Sequence, residues 1–96
     1  MDYLKPMDGL YTIYTRSGCS YCKMVMELLK HEDPKVDEIC CDEYIAYSKP
    51  RFFQFIKQLI GKEHNTFPIV FLYGEYVGGY TETKAFLKYL ASLPQS

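Results

Sequence analysis

The stretch YTRSGCSYCKMV, Tyr14 to Val25, sets two cysteines three positions apart between a strand-like run and an amphipathic one. Leu10 to Thr15 is rich in β-branched and aromatic residues, as a buried strand requires, and Ser17-Gly18 breaks it. From Cys19 onward Lys23, Glu27, Lys30 and His31 fall on one side at helical spacing, with Tyr21, Val25, Leu28 and Leu29 on the other. The spacing predicts a helix that ends near Asp33-Pro34. Cys19 then sits in its first turn, where backbone N–H groups lack partners and the dipole favours an anion. Such a position lowers a thiol pKa from about 8.5 to roughly 3.5–7.5, and nearby Arg16 acts in the same sense. Cys22, one turn inside and more shielded, suits a resolving thiol.

Working outward, Lys35 to Cys41 reads as a shorter strand with Val36, Ile39 and Cys41 as its apolar members. Ser48 caps a second helix with Pro50 in its first turn, an apolar stripe of Phe52, Phe55, Ile56 and Leu59, and Gly61 as its stop. Ile69 to Tyr73 is a continuous strand pattern, Gly74-Glu75 a two-residue loop, and Tyr76 to Gly78 the returning strand. Thr81 caps a last helix bearing Phe86, Tyr89, Leu90 and Leu93 on one face, closed by Pro94. The order βαβαββα predicts an α/β domain. Its first two strands are parallel across a helical crossover, and a hairpin completes a mixed four-stranded sheet flanked by helices.

With 96 residues the chain accommodates one domain, 1–96, and its 48% hydrophobic content supplies a core without disulfide staples. A net charge of -1 provides no basic footprint for nucleic acid. No apolar run approaches the roughly 18 residues of a membrane span, and no basic segment leads into a long apolar one. These features predict an untargeted cytoplasmic chain with no membrane partner. In a reducing compartment the four cysteines are thiols, so the C-x-x-C pair is catalytic or metal-binding rather than structural. A zinc site needs further ligands, yet Cys40 and Cys41 are adjacent on a strand and point to opposite faces, and His31 lies well down the helix. No metal ligand is assigned. Cys40 and Cys41 read as packing or surface thiols, and His64 as a solvated loop residue.

Three segments, RSGCSYC (16–22), NTFPIVF (65–71) and VGGYTE (77–82), resemble in order and spacing the glutathione-site segments of a glutaredoxin. The resemblance spans nearly the whole chain. It implies the thioredoxin fold, Cys19 as nucleophile, Cys22 as second thiol, and Tyr21 flanking bound glutathione. Thr66-Phe67-Pro68 resembles the loop with a cis proline, whose Phe67 backbone pairs with the cysteinyl part of glutathione. Gly78, Gly79 and Tyr80 match the turn that approaches the ligand, the N–H groups of Thr81 and Glu82 the site of the γ-glutamyl carboxylate, and Arg16 the cation at the glycyl carboxylate.

The activity implied is glutathione-dependent reduction of protein disulfides and glutathione mixed disulfides, with glutathione as co-substrate. The protein would act as a monomer, and a ribonucleotide reductase is one client the family admits. Three departures stand out: Ser20 where proline is commonest, Glu82 for the usual aspartate, and a longer GKEHN loop (61–65) that leaves the second-helix contact to the glycyl carboxylate unassigned. Some relatives with the same serine hold a [2Fe-2S] cluster bridged between two subunits, so a cluster carrier is one alternative. A thioredoxin-like reductase that ignores glutathione is another, against which Arg16 and the segment from Gly78 to Glu82 both weigh.

Overall fold

Four strands and three helices alternate along the chain in a computed structural model that describes residues 1–94; the last two residues of the domain expected over 1–96 lie outside the described residues. The strands are β1 (Tyr11–Thr15), β2 (Val36–Cys40), β3 (Ile69–Leu72) and β4 (Glu75–Gly78), and the helices α1 (Ser20–Leu29), α2 (Asp42–Ile60) and α3 (Tyr80–Ser92). The sheet order is β2-β1-β3-β4, with β1 parallel to β2 and antiparallel to β3, and β3 antiparallel to β4. This is the βαβαββα mixed sheet that the sequence predicts. Among the described residues no helix is long and apolar enough to cross a membrane.

β1 lies between β2 and β3, so all five of its residues are buried. On one face Tyr14, Ile39, Ile69 and Phe71 pack with Phe52, Phe53 and Ile56 of α2. On the other, Tyr11, Ile13 and Val70 pack with Val25 and Leu29 of α1, and Leu87 of α3 joins them. Burying a large apolar side chain contributes about 1.5–3 kcal/mol, so these two layers carry most of the favourable folding energy. Residues before β1 close the α2 face. The Tyr3 ring packs edge-on against Tyr44 and Phe52, the Leu4 N–H donates to the Tyr44 hydroxyl (3.1 Å), and the buried Tyr14 hydroxyl donates to the Leu4 carbonyl (2.7 Å). Burial raises the Tyr14 pKa well above its ordinary value.

Several boundaries differ from expectation. α1 stops at Leu29, four residues before Asp33-Pro34, a bond that is itself cis. α2 begins at Asp42, with Asp42 and Glu43 in a first turn where their charge suits the dipole, and Ser48 (φ -167°, ψ 103°) breaks it. Ser48 does cap the part of the helix beyond the break, its hydroxyl accepting from the Arg51 N–H at 3.3 Å, and Gly61 ends the helix as expected. The hairpin turns at Tyr73-Gly74, not Gly74-Glu75. Both residues have positive φ (52° and 80°), the pattern of a type I′ turn, and Leu72 pairs with Glu75.

Thr81 is not the cap of α3. Gly79 is the N-cap, and Glu82 Oε1 accepts from its N–H at 2.8 Å, as the acidic residue of a capping box does. The inward face of α3 is Thr83 and Leu87, while Tyr89, Leu90 and Leu93 are exposed. Tyr14→Phe leaves the Leu4 carbonyl without its donor. The expected loss is about 1 kcal/mol, a fall in Tm of about 4–8 °C for a chain of this size, measurable by circular dichroism on heating.

Candidate active site

β1 ends at Thr15, and the chain turns through Gly18 (φ +71°) to place Cys19 at the N-cap of α1 rather than inside its first turn. There its Sγ takes the role usual for a serine or aspartate oxygen, accepting from the Cys22 N–H at 3.1 Å. The Cys19 and Cys22 sulfurs are joined as a disulfide, with the two Cα atoms 5.2 Å apart. Cys22 is the more shielded, at 4% exposure against 8%, and only Cys19 of the two lines the cleft that also holds Phe67 and Pro68.

The turn before Cys19 is pinned from across the sheet edge. Asp42, at the start of α2, accepts from the Ser17 N–H at 2.9 Å and from the Ser17 hydroxyl. These bonds hold its carboxyl below the usual aspartate value, with smaller contributions from Cys40 and Arg16. The sequence marks Ser17 only as part of the break after the first strand and gives no sign of its pairing with Asp42, because the contact joins residues 25 positions apart.

A cleft of about 790 Å³ opens beside Cys19 and brings together Arg16, Tyr21, Thr66, Phe67, Pro68, Gly79, Tyr80, Thr81 and Glu82, the residues expected at the ligand site apart from Gly78. The Phe67-Pro68 bond is cis, and the Phe67 carbonyl oxygen lies 3.7 Å from Cys19 Sγ. The Phe67 ring points the other way and stacks on Phe52, with centroids 5.8 Å apart and planes at 11°. Tyr21 and Tyr80 face each other across the mouth at 5.7 Å. Gly78 (φ +139°) admits no side chain, since a Cβ there would lie 2.5 Å from Glu82 Cβ; the glycine lets α3 start against the end of β4.

The cleft also contains residues the sequence left unassigned. Lys49, just after the break at Ser48, supplies a second cation from α2, where no residue had been chosen. His64 is not a solvated loop residue: it is half-buried, lines the cleft and lies 2.5 Å through Nδ1 from the Tyr76 hydroxyl. Burial holds its pKa below the ordinary histidine value. Of the remaining cysteines, Cys40 is exposed and Cys41 fully buried, its pKa pushed up to about 12 by burial. Among the described residues no group of three or more His, Cys, Asp or Glu side chains is placed to hold a metal ion.

A bonded C-x-x-C pair capping the helix after the first strand, on this mixed four-stranded sheet, is the arrangement of the thioredoxin-fold proteins. Comparison with known proteins narrows the class. The glutaredoxin family model matches residues 11–77, and the chain belongs to that family. It is 33% identical over 78 residues to the chloroplastic glutaredoxin-C5 of Arabidopsis thaliana, covering 79% of this chain but 42% of that relative, so it spans less than half its length. Among solved structures it is similar to glutaredoxin 1 of Francisella tularensis, with TM-score 0.73 and 28% identity over 88% of this chain and 98% of that one. Against glutaredoxin of Brucella melitensis the TM-score is 0.61 and the identity 31%, over 93% and 89% of the two chains.

The Asp42 anchor has a defined pH signature. Because the folded carboxyl titrates below 3.8, its contribution is complete above that value and is lost as pH falls through the lower folded one. Asp42→Asn is therefore expected to lower Tm at neutral pH, with the gap to wild type closing on acidification below about pH 4, followed by circular dichroism.

Proposed function

We propose that this chain is a glutathione-dependent thiol-disulfide oxidoreductase acting on glutathione mixed disulfides and protein disulfides. The observation that carries the reading is that Cys19 opens on a cleft lined by two cations on one hand, Arg16 and Lys49, and by the unpaired first-turn amides of α3 on the other. Glutathione is a tripeptide with a carboxylate at each end and a thiol between. In this reading Arg16 and Lys49 take the glycyl carboxylate and the N–H groups of Thr81 and Glu82 the γ-glutamyl one. The Phe67 backbone pairs with the cysteinyl residue as an added strand would, and Tyr21 and Tyr80 flank the peptide.

The reaction starts from the reduced pair. The Cys19 thiolate, stabilised by the Cys22 amide, attacks the glutathione sulfur of a mixed disulfide; a Cys19–glutathione disulfide forms and the client sulfur leaves as a thiolate that takes a proton from water. A second glutathione thiolate then attacks the glutathione sulfur, releasing oxidised glutathione and the Cys19 thiolate. For protein disulfides the Cys22 thiolate attacks Cys19 instead, freeing the client's second thiol and closing the Cys19–Cys22 disulfide. We place this activity in a monomer in the cytoplasm, with disulfide-bonded proteins, a ribonucleotide reductase among them, as the client class.

The test is a coupled assay with glutathione, glutathione reductase, a reduced nicotinamide cofactor and a small glutathione mixed disulfide. Cys19→Ser is expected to abolish turnover and Cys22→Ser to retain it. Equal residual activity in the two variants would refute these roles, and turnover independent of glutathione would refute the co-substrate.

A further inference from the structure

His64 is the cleft's one imidazole and takes no part in the thiol exchange. Its Nδ1 lies 2.5 Å from the Tyr76 hydroxyl of β4, and the two rings meet edge to face with centroids 5.7 Å apart. Its Cε1 stands 3.6 Å from the point where a Cβ on Gly79 would be, and the Pro68 carbonyl oxygen and Glu82 Oε1 approach the same point at 3.5 and 3.4 Å. Hydrogen bonding to the backbone of Thr66 and Pro68 favours the protonated ring. One side chain therefore contacts β4 and lies close to the loop before β3 and to the start of α3.

We propose that His64 is a positioning residue for glutathione: it braces the Thr66–Pro68 loop against Gly79 and Glu82, and by taking up a proton it tightens the hold on the anionic peptide. The inference rests on the glutathione reading. A neutral imidazole can accept from the Tyr76 hydroxyl at Nδ1 and donate from Nε2, whereas the protonated ring donates from both nitrogens and adds a positive charge to the cleft.

The groups facing the ring are Glu82 from α3, Tyr76 from β4 and Lys62 from the loop after α2, whose Nζ lies over the Tyr76 ring at 5.2 Å. Glu63, in the same cleft, is engaged by Lys57 at 3.8 Å. Burial and Lys62 oppose the charged ring, while Glu82 and the backbone of Pro68 and Thr66 favour it. In the free protein burial prevails, so the contribution of neutral His64 to stability is present above 6.5 and is lost as pH falls through the lower folded value. A peptide bringing two carboxylates shifts the balance toward protonation, and linkage requires that protons in turn tighten the peptide.

The experiment uses the chain in its Cys19–Cys22 disulfide form with S-methylglutathione, so that no thiol titrates and no exchange takes place. The Kd is expected to fall about five-fold between about pH 8 and pH 5.5. The histidine Cε1–H resonance of His64 should titrate at a higher pH with saturating ligand than without, the exposed His31 resonance serving as an internal control. In His64→Gln the Kd is expected to stay at its alkaline value throughout. A His64 midpoint unmoved by bound ligand, a Kd equal at both pH values, or a His64→Gln chain that keeps the wild-type pH dependence would overturn the inference and leave the glutathione reading intact. Failure to bind S-methylglutathione at any pH would remove both.

Discussion

The backbone amide of Cys22 aimed at the sulfur of Cys19 is the interaction on which the rest of this structure converges. To receive it, the sulfur must sit at the N-cap of α1, which requires β1 to end at Thr15 and the chain to reverse within three residues. A left-handed Gly18 makes the reversal possible, and the Asp42 carboxylate fixes it from the start of α2. Because β1 is flanked by β2 and β3, the sulfur emerges beside the loop that leads into β3, which brings the Phe67 carbonyl within 3.7 Å. Strand order, one glycine and one carboxylate thus set the position of a single atom.

The cleft around that atom is assembled from ends of elements. Arg16 follows β1, Lys49 follows the break in α2, Thr66 to Pro68 precede β3, and Gly79 to Glu82 join β4 to α3. At such junctions backbone N–H and C=O groups are free of ladder and helix partners, so they can pair with groups from outside the chain. The packed layers behind them give those groups fixed directions.

Most of the architecture was legible because its signals are local. The alternation from strand to helix, the C-x-x-C pair at the changeover and the stop at Gly61 each depend on a few neighbouring residues. What escaped depended on tertiary context or ran against common preference. α2 starts after Cys41, which provides no side-chain cap, so the stronger signal at Ser48 stood out as the start. Tyr73 adopts a positive φ that few tyrosines take, which moved the hairpin turn by one residue. In α3 the large apolar side chains near the end outweighed Thr83 and Leu87, although these two face the interior. Lys49, Asp42 and His64 became site residues only when folding brought distant segments beside Cys19.

Phe67 divides its labour between main chain and ring. The carbonyl that borders the reactive sulfur belongs to a residue whose side chain is stacked on Phe52 in the interior, in line with the aromatic packing that reaches Tyr3 near the chain start. A carbonyl in that position makes no demand on side-chain identity at position 67, which leaves that side chain to serve as a keel. The set of rings that weights the molecule also trims the edge of its reactive groove, so interior plasticity and surface chemistry are not independent quantities in this fold.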